Sequence, residues 1–442
     1  MCADRKINEM EVIANLESHL DRLVSEDNFS GAVLVARKDK PFFLKAYGLA
    51  SLSFNVPNRV DTRFNLGSMN KMFTGVAVVQ LAEQGKLSFD DPVVKHLPEY
   101  PNKQVAEKVS IHQLLTHTSG MGSHFTEEFM QASKTRFRKV DDYLPLYVDA
   151  PLAFEPGEGW QYSNSGFILL GAIIEKISGE DYFDYIREHI YLPAGMLDTD
   201  SYDIDIDVPN MAVGYTKMFG SPRRNNFFYH AIKGSPAGGG YSTVEDLLRF
   251  ANAIQRHELL SQEFTSVLLS GKTKTDRGDQ IYAYGFHEEV FSGTYIVGHG
   301  GGAPGINSML DMYLGTDYSV AVMTNYDPPT AERVTSRLRR WLTGTPMPER
   351  AHVSGDRLQK YAGKYDPEPH FFPGDIQLKM EKGDLWVSFP MGRRKLIPIS
   401  ETEFCDEETF SYKLFFDLDE IGAVVSLKLA GLGPEIIAKK VT

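Results

Sequence analysis

The stretch Phe64-Asn65-Leu66-Gly67-Ser68-Met69-Asn70-Lys71 opens an apolar pattern that predicts a helix from Ser68 to Gln84. Residues at i and i+3 lie on the same face of a helix, so the Lys71 amine is directed toward the Ser68 hydroxyl. A serine hydroxyl is a weak nucleophile unless a base accepts its proton, and burial fits a lysine for that task by lowering its pKa. Taken alone, S-x-x-K is more often a serine cap followed by a solvated lysine than a catalytic pair.

A second polar cluster is Gly159-Trp160-Gln161-Tyr162-Ser163-Asn164-Ser165-Gly166, which forms a predicted turn before a helix over residues 166–177. In such a turn Tyr162 is a candidate general base or proton relay. Asn164 is a candidate to hold Lys71 or to bind a substrate carbonyl. Taken alone, the cluster is better explained by packing of Tyr162 and by helix capping through Ser163 or Asn164.

A third element, Val297-Gly298-His299-Gly300-Gly301-Gly302-Ala303-Pro304-Gly305, stands between two predicted strands. Consecutive glycines let a backbone pass close to a substrate and offer its N–H groups to an oxyanion. Its glycines also match a dinucleotide fingerprint, but Pro304 and a strand replace the required helix, and Asn325 stands where an acidic ribose ligand is expected. We therefore reject nucleotide binding; His299 by itself is more typical of a structural histidine.

These motifs together, S-x-x-K, then Y-S-N, then H-G-G, resemble those of the serine β-lactamase and penicillin-binding-protein superfamily. The resemblance is to the branch with tyrosine in the second motif, which includes class C β-lactamases, D-Ala-D-Ala carboxypeptidases, D-aminopeptidases and family VIII esterases. It covers about Gly31 to Leu342, including Leu114-Leu115-Thr116-His117-Thr118-Ser119-Gly120-Met121 and Ala237-Gly238-Gly239-Gly240-Tyr241-Ser242-Thr243.

The resemblance implies roles for particular residues. Ser68 would be acylated, and Lys71 and Tyr162 would transfer its proton. The substrate would be bound by Asn164, His299 and Gly301, and the oxyanion by the backbone N–H groups of Ser68 and Gly302.

Two features depart from the pattern of the β-lactamases. His299-Gly300-Gly301 lacks both the lysine and the hydroxyl of K-T-G, and Gly302 lacks the side chain often found at its position. Because histidine is only partly charged near neutral pH, a fixed cation for a substrate carboxylate is less assured. This favours esters or peptides over β-lactams.

The expected fold class is α+β: an antiparallel sheet flanked by helices, as in β-lactamases and transpeptidases, with a helical subdomain. Strands predicted near both ends of residues 1–345 are separated by helices, so both ends of this segment should contribute to one sheet. Residues 346–355, rich in proline and polar residues, read as a linker. Short alternating runs over 356–442 predict a small all-β, barrel-like domain.

Composition excludes several function classes. A net charge of −13 over 442 residues argues against nucleic-acid binding, and the sequence contains no long apolar run that would span a membrane. The two cysteines, Cys2 and Cys405, predict neither a zinc site nor a defined disulfide. With no apolar leader at its start, the chain as given is expected in the cytoplasm, or exported only if a signal segment was removed.

The sequence thus predicts an acyl-enzyme hydrolase without a cofactor, acting on a small ester, amide or D-amino-acid peptide. It contains neither the G-x-S-x-G of α/β-hydrolases nor the H-E-x-x-H of metalloproteases. The alternative is a catalytically inactive, penicillin-binding-like ligand receptor. A homo-oligomer formed through the C-terminal domain is a further expectation.

Overall fold

The computed structural model describes residues 7–218, 220, 222–276, 278–368, 375–389, 392–431 and 435–441. Cys2 lies outside these residues. The chain divides into two compact units, residues 1–275 with 280–331 and residues 276–279 with 332–442. Residues 346–354 of the predicted linker form neither helix nor strand, whereas its last residue, Gly355, begins a helix. The predicted domain boundaries, at residues 345 and 356, stay a prediction.

The first unit is built on an antiparallel sheet of eight strands. Two strands come from the start of the chain and the rest from its later part, which confirms the prediction that both ends build one sheet. In spatial order the strands are Lys40–Tyr47, Gly31–Arg37, Tyr318–Thr324, Ile306–Leu314, Thr294–Ala303, His287–Phe291, Ile281–Tyr282 and Thr273–Lys274.

The sequence between these strands is largely helical, and its most deeply buried helix is Asn70–Glu83. The other α-helices of this unit are Glu9–Ser25, Val93–His96, Lys103–Lys108, Ile111–Leu115, Glu127–Gln131, Asn164–Ser178, Tyr182–Ile186, Val244–Gln255 and Gln262–Leu269. Shorter 3₁₀ turns are Gly67–Met69, Lys134–Arg136 and Val140–Leu146, and Arg187–Tyr191 is a π-helix. Paired short strands are Leu49–Ser51 with Val56–Pro57, Phe64–Asn65 with Tyr241–Ser242, and Tyr215–Thr216 with Arg224–Asn225.

The helix Asn70–Glu83 lies in the middle of the hydrophobic core. Every residue from Asn70 to Leu81 is buried, because the sequence is apolar on all sides of the helix rather than on one face. Lys71 is part of this run. Its side-chain amine therefore lies in the protein interior, and this burial lowers the pKa of the amine.

The second unit contains a closed barrel of eight antiparallel strands, which confirms the predicted all-β domain. Alternation of buried and less buried residues along a strand explains the barrel. Ile376 and Leu378 are buried, Gln377 between them is half-buried, and Lys379 after them is exposed. The strands are Gly363–Glu368, Ile376–Glu381, Asp384–Phe389, Gly392–Pro398, Glu403–Asp406, Lys413–Leu418, Val424–Ala430 and Ile436–Lys440; the helices are Glu332–Thr343 and Gly355–Tyr361.

Two further properties concern the described part of the chain. None of its helices is both long enough and apolar enough to cross a membrane. The thiol of Cys405 is free and buried, and burial raises its pKa to about 12. A protonated, buried thiol is a small apolar side chain and not a nucleophile.

Candidate active site

Ser68 lies in the 3₁₀ turn Gly67–Met69, which leads into the helix Asn70–Glu83. The turn depends on Gly67, whose φ of +52° is costly for a residue with a side chain. A Cβ atom at Gly67 would also lie 3.0 Å from the Cα of Gly301. The Asn65 side chain secures the turn by accepting the Gly67 N–H at 2.8 Å. This geometry leaves the Ser68 side chain half-buried rather than enclosed.

Lys71 is fully buried, and its Nζ donates to Asn164 Oδ1 at 2.8 Å and to the backbone carbonyl of Ala237 at 2.5 Å. The same nitrogen lies 4.8 Å from the ring centre of Tyr162. Both hydrogen-bond partners are neutral, so neither compensates a positive charge. Burial therefore lowers the pKa of Lys71 well below its usual value, which favours the neutral amine.

The segment around Tyr162 opens the helix Asn164–Ser178. Ser163 caps this helix, because its Oγ accepts the Gly166 N–H at 2.9 Å and donates to the Gly122 carbonyl at 2.8 Å. The Asn164 side chain is then free to turn toward Lys71, and its Nδ2 donates to Ser123 Oγ at 3.1 Å. Of the roles open from the sequence, capping thus belongs to Ser163, and the contact with Lys71 belongs to Asn164.

His117, to which the sequence analysis assigned no role, contacts both Tyr162 and Ser163. Its Nδ1 accepts the Ser163 N–H at 3.0 Å, and its ring centre lies 4.3 Å from that of Tyr162. The ring is fully buried, and burial lowers its pKa well below the usual value. His117 is therefore a neutral imidazole that positions the backbone between Tyr162 and Asn164.

Replacing His117 tests this support. We expect His117→Phe to lower the stability of the first unit by about 2 kcal/mol, because it leaves the buried Ser163 N–H without an acceptor. His117→Asn is the matched control, since it keeps an acceptor and tolerates the φ of +63° at this position. Urea unfolding checks both variants. Equal midpoints for His117→Phe and the wild type would contradict the positioning role.

The strand Thr294–Ala303, here called the glycine strand, forms another wall of the site, beside the Ser68 turn. Its register with Ile306–Leu314 continues to Ala303, so the strand runs through all the consecutive glycines of the third motif. On its other edge, pairing with His287–Phe291 ends at Gly298. The remaining edge lies against the Ser68 turn: a Cβ atom at Gly301 would lie 1.9 Å from the Leu66 carbonyl oxygen.

Gly302 follows on the same edge. Its backbone nitrogen lies 3.1 Å from the position of a Cβ atom built on Gly67, so it is close to the residue that precedes Ser68. Gly302 is exposed, whereas Gly301 is buried. The backbone of the glycine strand therefore passes directly beside the Ser68 turn.

His299 is buried on the glycine strand, with its ring centre 6.4 Å from that of Tyr162. Its Nδ1 lies 2.5 Å from the Gly300 carbonyl oxygen, and its Nε2 lies 3.1 Å from the hydroxyl of Tyr282. A neutral ring that donates from Nδ1 accepts the Tyr282 hydroxyl at Nε2. Tyr282 was missed by sequence analysis, since it lies in the two-residue strand Ile281–Tyr282 and belongs to no motif.

The glycine-rich loop over residues 237–240 joins these elements through its backbone. The Gly239 N–H donates to the Gly67 carbonyl at 3.1 Å, and the Gly240 N–H donates to Asn70 Oδ1 at 3.2 Å. A Cβ atom at Gly238 would lie 3.4 Å from the Ser68 nitrogen. Because the neighbouring Ala237 carbonyl accepts from Lys71, one short loop contacts both the Ser68 turn and the Lys71 amine.

Comparison with known proteins agrees with this architecture. Residues 16–345 match the Beta-lactamase family. The chain is 28% identical over 416 residues to penicillin-binding protein 4* of Bacillus subtilis, which covers 88% of this chain and 90% of that protein.

Two solved structures extend the comparison. The octameric penicillin-binding protein homologue from Pyrococcus abyssi superposes with a TM-score of 0.70 at 24% identity, over 96% of this chain and 99% of that one. A D-stereospecific amidohydrolase from Streptomyces sp. superposes with a TM-score of 0.62 at 25% identity, over 71% and 94%. The chain belongs to the Beta-lactamase family, within the superfamily of serine β-lactamases and penicillin-binding proteins.

Proposed function

We propose that this protein is a serine hydrolase that cleaves amide or ester bonds of small substrates through an acyl-enzyme on Ser68. The observation that carries the proposal is the state of Lys71: a fully buried amine, one helical turn from Ser68, whose hydrogen-bond partners are neutral carbonyl oxygens. A neutral amine has two N–H donors and one lone pair. Asn164 and Ala237 occupy two donors, which leaves the lone pair for a proton.

This arrangement supports the following acylation step. The Ser68 oxygen attacks the substrate carbonyl carbon while its proton passes to the Lys71 amine, directly or through the Tyr162 hydroxyl. The backbone N–H groups of Ser68 and Gly302 hold the oxyanion that forms. As the bond to the leaving group breaks, the leaving amine or alcohol takes the proton. Water, deprotonated by the same groups, then releases the acid and restores Ser68.

The surroundings of His299 support a particular class of substrate. Because this histidine is buried and both ring nitrogens face protein atoms, it does not provide a fixed cation for a substrate carboxylate. Penicillin-binding and D-stereospecific amidohydrolase relatives support amides and peptides of D-amino acids as substrates. We place these and small esters ahead of β-lactams, whose carboxylate is usually bound by a lysine at this position.

Intact-mass spectrometry tests the proposal. We expect a fluorophosphonate or a penicillin to add one covalent equivalent to the protein and none to Ser68→Ala, because Ser68 is the acylated nucleophile. Peptide mapping would locate the adduct on the peptide that contains Ser68. Saturable binding without a mass increment would instead favour the ligand receptor.

The pH dependence of kcat/KM tests the role of Lys71. Burial lowers the pKa of this amine, so its base form increases as the pH rises through the lowered value, and activity should rise with it. Lys71→Arg places a cation that stays protonated at the same position, and we expect it to lose about 10³-fold in kcat/KM above the lowered pKa of Lys71 and to lack the acid limb of the wild type. An acid limb that persists unchanged in an active Lys71→Arg variant would assign that limb to another group.

Self-association through residues 356–442 stays a prediction. Sedimentation equilibrium of the full chain and of a chain ending at Ser354 would test it. Equal subunit numbers for both would remove the C-terminal domain from any assembly.

A further inference from the structure

Asn70, the residue before Lys71, has no role in the proposed acylation step. Its side chain is 1% exposed, and it binds the backbone of one segment, residues 235–240. Nδ2 donates to the Ser235 carbonyl at 3.1 Å, and Oδ1 accepts the Gly240 N–H at 3.2 Å. Because one partner needs a donor and the other an acceptor, the two ends of this segment fit the two ends of a single amide.

Three successive carbonyls of this segment accept hydrogen bonds from side chains of the helix Asn70–Glu83. The pairs are Asn70 with Ser235, Thr74 Oγ1 with Pro236 at 2.8 Å, and Lys71 Nζ with Ala237. The Lys71 amine thus keeps its second acceptor only while the segment stays in place against the helix. Asn70 also binds the far end of the segment, at Gly240, so its amide holds the backbone on both sides of Ala237.

The same segment fixes the peptide bond that carries the Ser68 N–H. The Gly239 N–H donates to the Gly67 carbonyl at 3.1 Å. In a planar trans peptide the carbonyl and the N–H of the next residue point in opposite directions. A donor on the Gly67 carbonyl therefore directs the Ser68 N–H, one of the two proposed oxyanion donors, away from the segment. A Cβ atom at Gly238 would lie 2.9 Å from the Gly67 carbonyl oxygen, so this close approach requires glycine.

We infer that Asn70 is a positioning residue: its amide holds the segment over residues 235–240 where the segment orients both the Lys71 amine and the Ser68 N–H. The inference rests on the proposed function, since Asn70 acts through these two groups rather than on the substrate. Without the amide, the buried Gly240 N–H loses its acceptor, and the segment is free to shift away from the helix. A displacement of about 1 Å in groups that hold the reacting atoms costs about 10²-fold in rate.

Asn70→Leu tests the inference, because leucine has the same branched shape and forms no side-chain hydrogen bond. We expect kcat/KM for a short-chain nitrophenyl ester, and the rate at which a fluorophosphonate labels Ser68, to fall by about 10²-fold. Asn58→Leu is the matched control. Asn58 is 7% exposed and donates to the Tyr47 carbonyl at 2.8 Å and to Ser30 Oγ at 2.9 Å, outside the candidate site. Its loss should lower thermal stability, as in Asn70→Leu, but keep kcat/KM within about threefold.

Asn70→Asp provides the conservative variant. A neutral carboxyl group donates to the Ser235 carbonyl and accepts the Gly240 N–H, as the amide does, whereas an ionised carboxylate has no donor. Burial raises the pKa of a carboxyl group, so the neutral form persists to higher pH than in water. We expect Asn70→Asp to match the wild type within about threefold at low pH, and to fall at least about tenfold below it as the carboxyl ionises. This change is opposite in sign to the rise that Lys71 gives the wild type.

The other titratable groups nearby are the same in both proteins, so comparison at each pH isolates the effect of the new carboxyl. They are Lys71, Tyr143, which bonds to the Ser235 side chain, Tyr162, whose ring faces the Lys71 amine, and His117 and His124, which interact with the Lys71 charge.

Three results would overturn the inference: kcat/KM of Asn70→Leu within about threefold of the wild type, an equal loss in Asn58→Leu, or Asn70→Asp as slow as Asn70→Leu at low pH. Thermal unfolding curves show that each assay uses folded protein. If the fluorophosphonate failed to label the wild type at all, the proposed function would be wrong, and the inference with it.

Discussion

Ser68→Ala is expected to reduce kcat for a short-chain nitrophenyl ester by about 10⁴-fold or more without unfolding the protein. The substitution removes the nucleophile and leaves the Lys71 amine, the Asn164 contact and the glycine strand in place. Any remaining turnover comes from the oxyanion-binding groups acting on water. Steady-state kinetics with the purified variant, together with its thermal unfolding curve, measure the loss and show that the fold is kept.

Ser165→Ala is the matched control for this loss. Ser165 lies one residue after Asn164, is fully buried, and its hydroxyl has no hydrogen-bond partner in the described part of the chain. Removing that hydroxyl should leave kcat within about threefold and should not destabilise the protein. If Ser68→Ala kept wild-type turnover, the acyl-enzyme proposal would be wrong, whatever Ser165→Ala did.

Those parts of the fold that follow from short-range pattern could be predicted from the sequence. The helix Asn70–Glu83 is predicted by a largely apolar stretch of sequence, and the strand Gly31–Arg37 by adjacent Val and Leu residues. The barrel strands follow from alternation, with Ile376 and Leu378 inward. In each case the deciding information lies within a few residues of the element.

Other features depend on contacts between distant segments. The strand Thr294–Ala303 continues through consecutive glycines, which have low strand propensity, because Ile306–Leu314 supplies its hydrogen-bond partners. Apolar spacing over residues 182–190 predicts a single helix, but the chain forms the short α-helix Tyr182–Ile186 followed by the π-helix Arg187–Tyr191, a change that the spacing does not reveal.

The candidate site likewise combines a contact that the sequence predicts with contacts that it does not predict. The spacing of Ser68 and Lys71 predicts their proximity, but the second acceptor for Lys71 is the backbone carbonyl of Ala237, and a carbonyl is common to every residue. Tyr282 reaches His299 only because the two-residue strand Ile281–Tyr282 pairs with His287–Phe291, the strand next to Thr294–Ala303. Neither contact has a signature in the residue types themselves.

Gly301→Ala is expected to lower kcat/KM by about 10²-fold or more, although it removes no reactive group. A Cβ atom at Gly301 would lie 1.9 Å from the Leu66 carbonyl oxygen and 3.1 Å from the Gly67 Cα, both backbone atoms that no side-chain rotation can move. The glycine strand and the Ser68 turn must therefore separate. This moves Ser68 away from the neighbouring Gly302 N–H and weakens oxyanion binding.

Gly300→Ala separates this local collision from a general effect of adding methyl groups to the glycine strand. At Gly300 the nearest atom to a new Cβ would be the Met309 methyl carbon at 3.0 Å, the flexible end of a side chain that can shift. We therefore expect Gly300→Ala to keep kcat/KM within about fivefold of the wild type. Equal losses in the two variants would show that the strand as a whole is intolerant. Full activity in Gly301→Ala would show instead that catalysis does not require close contact between Leu66 and the glycine strand.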